Sequence, residues 1–238
     1  MQDIYKKIIN KPTVDEIYYN FFTKYVSACL TKIIYKTPLT PNFVSYIMLA
    51  FGIGAIYFLS LNDSVSLLFS GVLFIIHNIL DTVDGDLARA KNQTSPFGKF
   101  IDQITHSIIN PSIFFALFFR YQDQSDYSII FIICGFVFLI DMYLKKNFEI
   151  LTNNKYSFSI KKKNKNSHSL LKIREIKFIN DIFFSIIGFY HLLIIILLID
   201  LFILENFSLI YFYLFSTVVI IKFLLRLVMM SKILINLK

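Results

Sequence analysis

The apolar positions of this chain fall in long blocks, not in the alternation of a half-buried strand or the narrow stripe of a surface helix. Six blocks approach or exceed the roughly 20 residues that a helix needs to cross the hydrocarbon of a bilayer. They run over Phe43–Leu61, Ser64–Leu80, Phe97–Phe119, Tyr127–Leu144, Ile179–Leu204 and Phe207–Met230. The pattern predicts an all-α integral membrane protein with six transmembrane helices. The second block passes directly into a polar run, Asp81 to Lys91, with no breaker before Pro96, so its helix is expected to continue past the bilayer or into a wet cavity at its edge. Ahead of the first block, residues 12–36 place Ile17, Phe21, Tyr25, Leu30 and Ile33 near helical spacing among charges. That spacing predicts an N-terminal interfacial amphipathic helix. The following TPLTPN carries prolines that end this helix and open the first span.

Composition sharpens the picture. The chain is 56% hydrophobic and 17% charged, with a mean hydropathy of +0.62, which leaves too few charges to coat a soluble domain of this length. Fourteen Tyr and 27 Phe suit a surface that meets lipid and its interfaces. With the N-terminus placed inside, every Lys and Arg of the 24 except Arg120 falls on the inner side, while the outer loops carry Asp63, Asp123, Asp126 and Glu205. The positive-inside rule thus puts both termini in the cytoplasm. The net charge of +8 needs no nucleic acid, because a basic inner face meets anionic headgroups and phosphorylated substrates. Cys29 and Cys134 have neither metal spacing nor a disulfide framework and read as free thiols. The first 16 residues contain no apolar signal-peptide core, and there is no internal repeat. The basic run between the fourth and fifth spans, KKKNKNSHSLLKIREIK, is too polar to cross and reads as a solvated loop drawn to lipid.

Candidate chemistry concentrates in residues 81–106, DTVDGDLARAKNQTSPFGKFIDQITH. Asp81 and Asp84 are three apart and share one helix face. A hairpin through Pro96 and Gly98 brings Asp102 opposite them. Three carboxylates converging at a membrane edge are costly unless a cation sits among them, and an all-oxygen set favours Mg²⁺ or Mn²⁺. Gly85 and Ala88 leave the same helix nearly bare for a flat base or a phosphate. Arg89 supplies a fork for phosphate oxygens, and Gly98 permits close packing of helix or ligand. Carboxylates, small residues and one Arg at a cytoplasmic mouth suit metal-assisted displacement at phosphorus.

The spacing Asp-x2-Asp-Gly-x2-Ala-Arg-x8-Gly-x3-Asp-x3-Asp resembles the signature of the CDP-alcohol phosphotransferase (CDP-alcohol phosphatidyltransferase) family. It is matched at Asp81, Asp84, Gly85, Ala88, Arg89, Gly98 and Asp102. Thr40-Pro41-Asn42 resembles the start of the first span in that family, and six spans is its usual number. The likeness covers residues 12–119, and the remainder only by topology. It implies residues 1–42 as an N-terminal cytoplasmic or interfacial segment and 43–238 as a six-helix transmembrane catalytic domain. It further implies that Asp81, Asp84 and Asp102 hold one or two divalent ions against the diphosphate of a CDP-linked donor. Asp81, Gly85, Ala88, Arg89 and Gly98 would receive the nucleotide, and CMP would leave as an alcohol attacks phosphorus. The donor would be CDP-diacylglycerol or a soluble CDP-alcohol, the acceptor an alcohol, the location a bacterial inner or cell membrane, and the assembly a homodimer. The fourth motif Asp is His106 here. An imidazole is a competent general base near neutral pH, with Asp102 one turn earlier to orient it, but a poorer ligand for Mg²⁺ than a carboxylate.

Other polar residues carry open alternatives. Asn42 is a substrate-contact candidate through the resemblance. His77 and Asn78, one turn before Asp81, either support the metal site or bond between helices. Asp141 is a functional candidate or the partner of Lys145. Arg174, Lys177 and Asp181 bind a substrate phosphate or anchor the fifth span. His191 and Asp200 make helix contacts, and Lys222 and Arg226 snorkel. Two rivals to the enzyme stand: a catalytically inactive relative that binds CDP-linked lipid, and a cation-coupled transporter. The transporter is disfavoured because the acids cluster at one mouth and not at the midplane.

Overall fold

The structure, a computed structural model, describes residues 23–123, 128–152, 186–202 and 207–235, and every extended regular element among them is helical. In chain order these are α1 (Lys24–Ile34), α2 (Pro41–Ser60), α3 (Ser64–Ala90), α4 (Pro96–Tyr121), α5 (Ile129–Leu151), α6 (Ile186–Phe202) and α7 (Phe207–Ile235). Helices α2 to α7 fall on the six apolar blocks. Two of them, α2 and α3, are long and apolar enough to cross a membrane by length and composition.

Local chemistry sets the helix starts. Thr40 caps α2, accepting the Phe43 N–H ahead of a proline in the first turn. Ser95 does the same for α4 through the Gly98 N–H, again with a proline following. Asp63 caps α3: its carboxylate accepts the Ser66 hydroxyl at 2.5 Å and the Ser66 N–H at 2.8 Å. Those bonds favour the charged form and hold this carboxyl below its ordinary range. The polar run after the second block is helical as expected, but α3 stops at Ala90 and does not reach Pro96. The stop comes at Asn92, whose φ of 55° lies in the left-handed region that asparagine tolerates better than most residues.

The helices pack so that the polar run is enclosed on several sides. Helix α3 lies against α1, α2 and α6, helix α4 lies against α2 and α5, and α7 closes on α5 and α6. Gly52 on α2 allows that closeness, since a Cβ there would meet Ile109 of α4 at 2.8 Å and His77 of α3 at 3.0 Å. Phenylalanines fill the centre, with Phe74, Phe114, Phe131, Phe189, Phe212 and Phe215 fully buried and Phe114 stacked on Phe215 at 5.8 Å. Outward-facing apolar side chains are equally plentiful: Ile53, Tyr57, Phe119, Phe136, Leu214 and Leu225 are all exposed. In the most apolar windows of α2 and α3, only 33% and 44% of the residues are buried inside the protein. The exterior is thus apolar in long stretches.

The bundle has two distinct ends. At one, the Arg120 guanidinium closes the α2–α3 turn by donating to the Leu61 and Asp63 carbonyls. Tyr121 and Ser208 share a hydrogen bond there, and Asp200 accepts the Ser208 N–H at the α6–α7 junction. The opposite end gathers the start of α2, the end of α3 and the start of α4. Helix α1 buries Ser27, Ala28 and Thr31, packs Val26, Leu30 and Ile34 against Val44, Ile79, Val83 and Leu87, and leaves Tyr25 and Ile33 exposed. Residues 12–22 of the expected amphipathic segment, including Ile17 and Phe21, lie outside the described residues.

Candidate active site

Helices α3 and α4 bring together Asp81, Asp102 and His106. His106 Nε2 on α4 lies 3.1 Å from Asp81 Oδ1 on α3 and 3.3 Å from Asp102 Oδ1 one turn earlier on its own helix. One nitrogen therefore faces two carboxylates, one from each helix. Ligand atoms of Asp81, Asp102 and His106 all lie within 4.8 Å of one another, close enough for a single ion to touch the three. Two carboxylate oxygens and one imidazole form a donor set that suits a hard or borderline divalent ion.

Asp84 takes a different place. Buried one helical turn after Asp81, it accepts a 2.5 Å hydrogen bond from Ser45 of α2. It lines a cavity of about 190 Å³ that opens at this mouth. One wall is Asn42 and Ser45, a second is Gly85, Ala88 and Arg89, and a third is Gly98, Lys99 and Asp102. Asp102 thus belongs to both the cavity and the acid–imidazole group. Small residues make the space: a Cβ on Gly98 would come within 3.1 Å of Asn42 Oδ1 and 3.3 Å of Ser95 Oγ. Arg89 is half exposed, and its guanidinium is held by Asp86 at 2.6 Å. The fork expected to be free for phosphate already has an acidic partner on its own helix, at the i,i+3 spacing that favours such pairs.

The supporting residues sort themselves by contact. Buried His77 bonds through Nδ1 to the Met48 carbonyl of α2 at 2.9 Å, and its ring meets the His106 ring edge-on at 6.3 Å. It makes the interhelical bond and also stands behind the site. Asn78 is buried on the same turn. Asp141 pairs with Lys145 at 2.7 Å. Arg226, expected to reach for the membrane surface, instead crosses from α7 to that same Asp141, whose buried carboxylate would be costly without compensating cations. These groups line a smaller cavity of about 100 Å³ between α5 and α7. Arg174, Lys177 and Asp181 lie outside the described residues. Sequence reasoning missed Ser45, Asp86 and Lys99. Ser45 lies three residues after Asn42, which would have put both on one face; nothing local announces that the face points at Asp84.

An apolar helical bundle with a polar mouth shared by three helices, acids on two of them and a small-residue cavity between, defines a membrane-associated class. Residues 38–199 match the family described as CDP-alcohol phosphatidyltransferase, and the chain belongs to that family. Among similar proteins is the CDP-diacylglycerol–inositol 3-phosphatidyltransferase of Drosophila melanogaster. It is 37% identical over 65 residues, which cover 27% of each chain. Another is the bifunctional IPC transferase and DIPP synthase of Thermococcus kodakarensis, 37% identical over 78 residues, covering 33% of this chain and 17% of that protein. The aligned segments thus span about a quarter or less of these relatives. Enzymes of this family use divalent metals, and the Asp81–Asp102–His106 group is one that could hold such an ion.

Proposed function

We propose that this chain is a six-span membrane enzyme that transfers a substituted phosphate from a CDP-linked donor to an alcohol, releasing CMP at the cytoplasmic face. The observation that carries the reading is the convergence of Asp81, Asp102 and His106 beside a cavity walled by Asp84, Gly85, Ala88, Arg89 and Gly98. The inside-facing basic residues support the orientation, and the exposed apolar sides of α2 to α7 support the spans. Pairing of two copies, a bacterial inner or cell membrane, the interfacial role of α1 and the division at residues 42 and 43 belong to the same reading, on the resemblance and the sequence pattern.

Asp81 and Asp102, with Asp84 nearby, are the residues that would hold Mg²⁺ or Mn²⁺. When bound, the ion supplies positive charge against the donor diphosphate. The chain's own groups do the rest. Gly85, Ala88 and Gly98 let the nucleotide approach the backbone, and Arg89 turns from Asp86 toward phosphate oxygens of higher charge. His106 accepts the proton of the attacking hydroxyl. As the new oxygen–phosphorus bond forms, the bond to the CMP oxygen breaks, and that oxygen leaves with its electron pair. Asp102 orients the ring and stabilises its protonated form. The donor in the name of the Drosophila relative, CDP-diacylglycerol, and a polyol such as its inositol are the first pair to assay.

A second reading of His106 rests on its nitrogen facing both acids: it is the third ligand of the ion, and another group takes the proton. Metal affinity separates the two, since a ligand variant loses the ion and a base variant keeps it. CMP release by the purified protein, with CDP-diacylglycerol and a panel of alcohols, tests the function itself. Retained CDP-lipid binding without CMP release would favour the inactive relative, and cation flux in vesicles without either would favour the transporter.

A further inference from the structure

The segment joining α1 to α2 is irregular over Thr37-Pro38-Leu39-Thr40, with Pro41 opening α2, and neither proline brings an N–H. The Thr40 carbonyl enters the first turn of α2, but the Thr37 and Leu39 carbonyls precede that helix and take their donors from elsewhere. They come from one side chain that the motif does not include. Lys91, the cap residue just after the end of α3, turns back and donates through Nζ to the Thr37 carbonyl and to the Leu39 carbonyl, each at 2.8 Å. Its own backbone is fixed by the Leu87 carbonyl at 2.9 Å, and the next turn is fixed by the Gln93 N–H on Ala88 at 2.8 Å. The ammonium is therefore a tie between two walls of the cavity. Arg89 stands two residues before it on one wall, and Asn42 stands three residues after Leu39 on the other.

We propose that Lys91 is a positioning residue for the nucleotide: its two hydrogen bonds to the 37–39 segment set the spacing between the Asn42–Ser45 wall and the Gly85–Arg89 wall. This deepens the transferase reading and rests on it. The Ser45–Asp84 hydrogen bond joins the same two walls deeper in the bundle, so the Lys91 tie governs their separation at the mouth. A cavity that must close on a flat base tolerates little change in width. Lysine suits the role because one ammonium offers three donors on a long stem, and two of them are spent on the two carbonyls.

The test uses the full-length protein in detergent with Mg²⁺ present, CDP as the binding probe, and CDP-diacylglycerol-dependent CMP release for kinetics. Lys91→Met is expected to raise the CDP dissociation constant and the donor KM by about tenfold, the scale of losing charge-assisted hydrogen bonds, with kcat within about twofold. Lys91→Arg, which keeps charge and donors, is expected to restore most of the affinity. Should Lys91→Met not accumulate in membranes, Lys91→Gln carries the same comparison. Wild-type CDP affinity in Lys91→Met or Lys91→Gln would overturn the proposal. So would a loss that disappears at about 0.5 M salt, since screening of that strength removes a through-space effect on phosphate charge but leaves a tether intact. Equal losses in kcat and thermal stability with no change in CDP affinity would reduce Lys91 to a general stabiliser and also overturn it. A wild type that neither binds CDP nor releases CMP would sink the transferase reading, whereas an active wild type with an unaffected Lys91→Met would sink only this one.

Discussion

Among the described residues, two clusters of ionisable groups at the helix interfaces differ in how their charge is resolved. Between α5 and α7, Asp141 faces Lys145 and Arg226, so the carboxylate is answered by the chain's own cations. Between α3 and α4, Asp81 and Asp102 share a single imidazole, with the buried Asp84 close behind and Arg89 turned to Asp86. There the acids outnumber the positive partners. The first cluster is bounded by phenylalanine and valine, the second by glycine, alanine and hydroxyl groups around a larger space. A carboxylate excess beside open space leaves room for a cation and a ligand, whereas a compensated pair joins helices.

The largest effect expected from breaking this contrast is at the acids. Asp81→Asn or Asp102→Asn should cut CMP release by about 10³-fold or more while the protein still folds, and EDTA should do so reversibly in wild type. Full activity of either variant in metal-free buffer would remove the acid group from the mechanism. Next comes His106, where His106→Ala should lower turnover by about 10²–10⁴-fold with little change in CDP affinity, and His106→Asp should recover part of it. An Ala variant as fast as wild type would exclude His106 from the chemistry.

At the Asp141 cluster the effect falls on stability and not on turnover. Asp141→Asn removes the carboxylate shared by two cations and should destabilise the helix pair by on the order of 3 kcal/mol, read as a lower thermal midpoint in detergent. Activity per folded molecule should stay within about threefold. An inactive variant of normal stability would instead place Asp141 in the active site and erase the distinction between the clusters. The smallest effect is expected from Gly98→Ala. Its Cβ would press on Asn42 and Ser95, so the donor KM should rise several-fold, on the scale of mild overpacking of about 1 kcal/mol, with kcat nearly unchanged. An unchanged KM would mean that the nucleotide does not use this wall.

The all-helical character was legible in the chain because a long apolar block is a one-dimensional signal. Twenty apolar residues must be helical wherever they end up packed, since their backbone has no other hydrogen-bond partner in lipid. For the same reason the Asp81–Asp84 face and the bare Gly85–Ala88 strip followed from spacing within one helix. Capping by Thr40, Asp63 and Ser95 was equally local. What spacing could not supply was anything that depends on which helix faces which. That His106 Nε2 would face Asp81 as well as Asp102, and that Ser45 would serve Asp84, depends on helix rotation and depth. So does the reach of Arg226 to Asp141 across 85 residues, in place of the membrane surface. Lys91 is the sharpest case: in the chain it is one more inside-facing cation, and only the fold turns it back onto two carbonyls more than 50 residues earlier. Composition and period determine that a segment is helical and which residues share its face. The pairing of faces is decided by close packing around Gly52, Phe114 and Phe215, where side-chain shape sets the contacts.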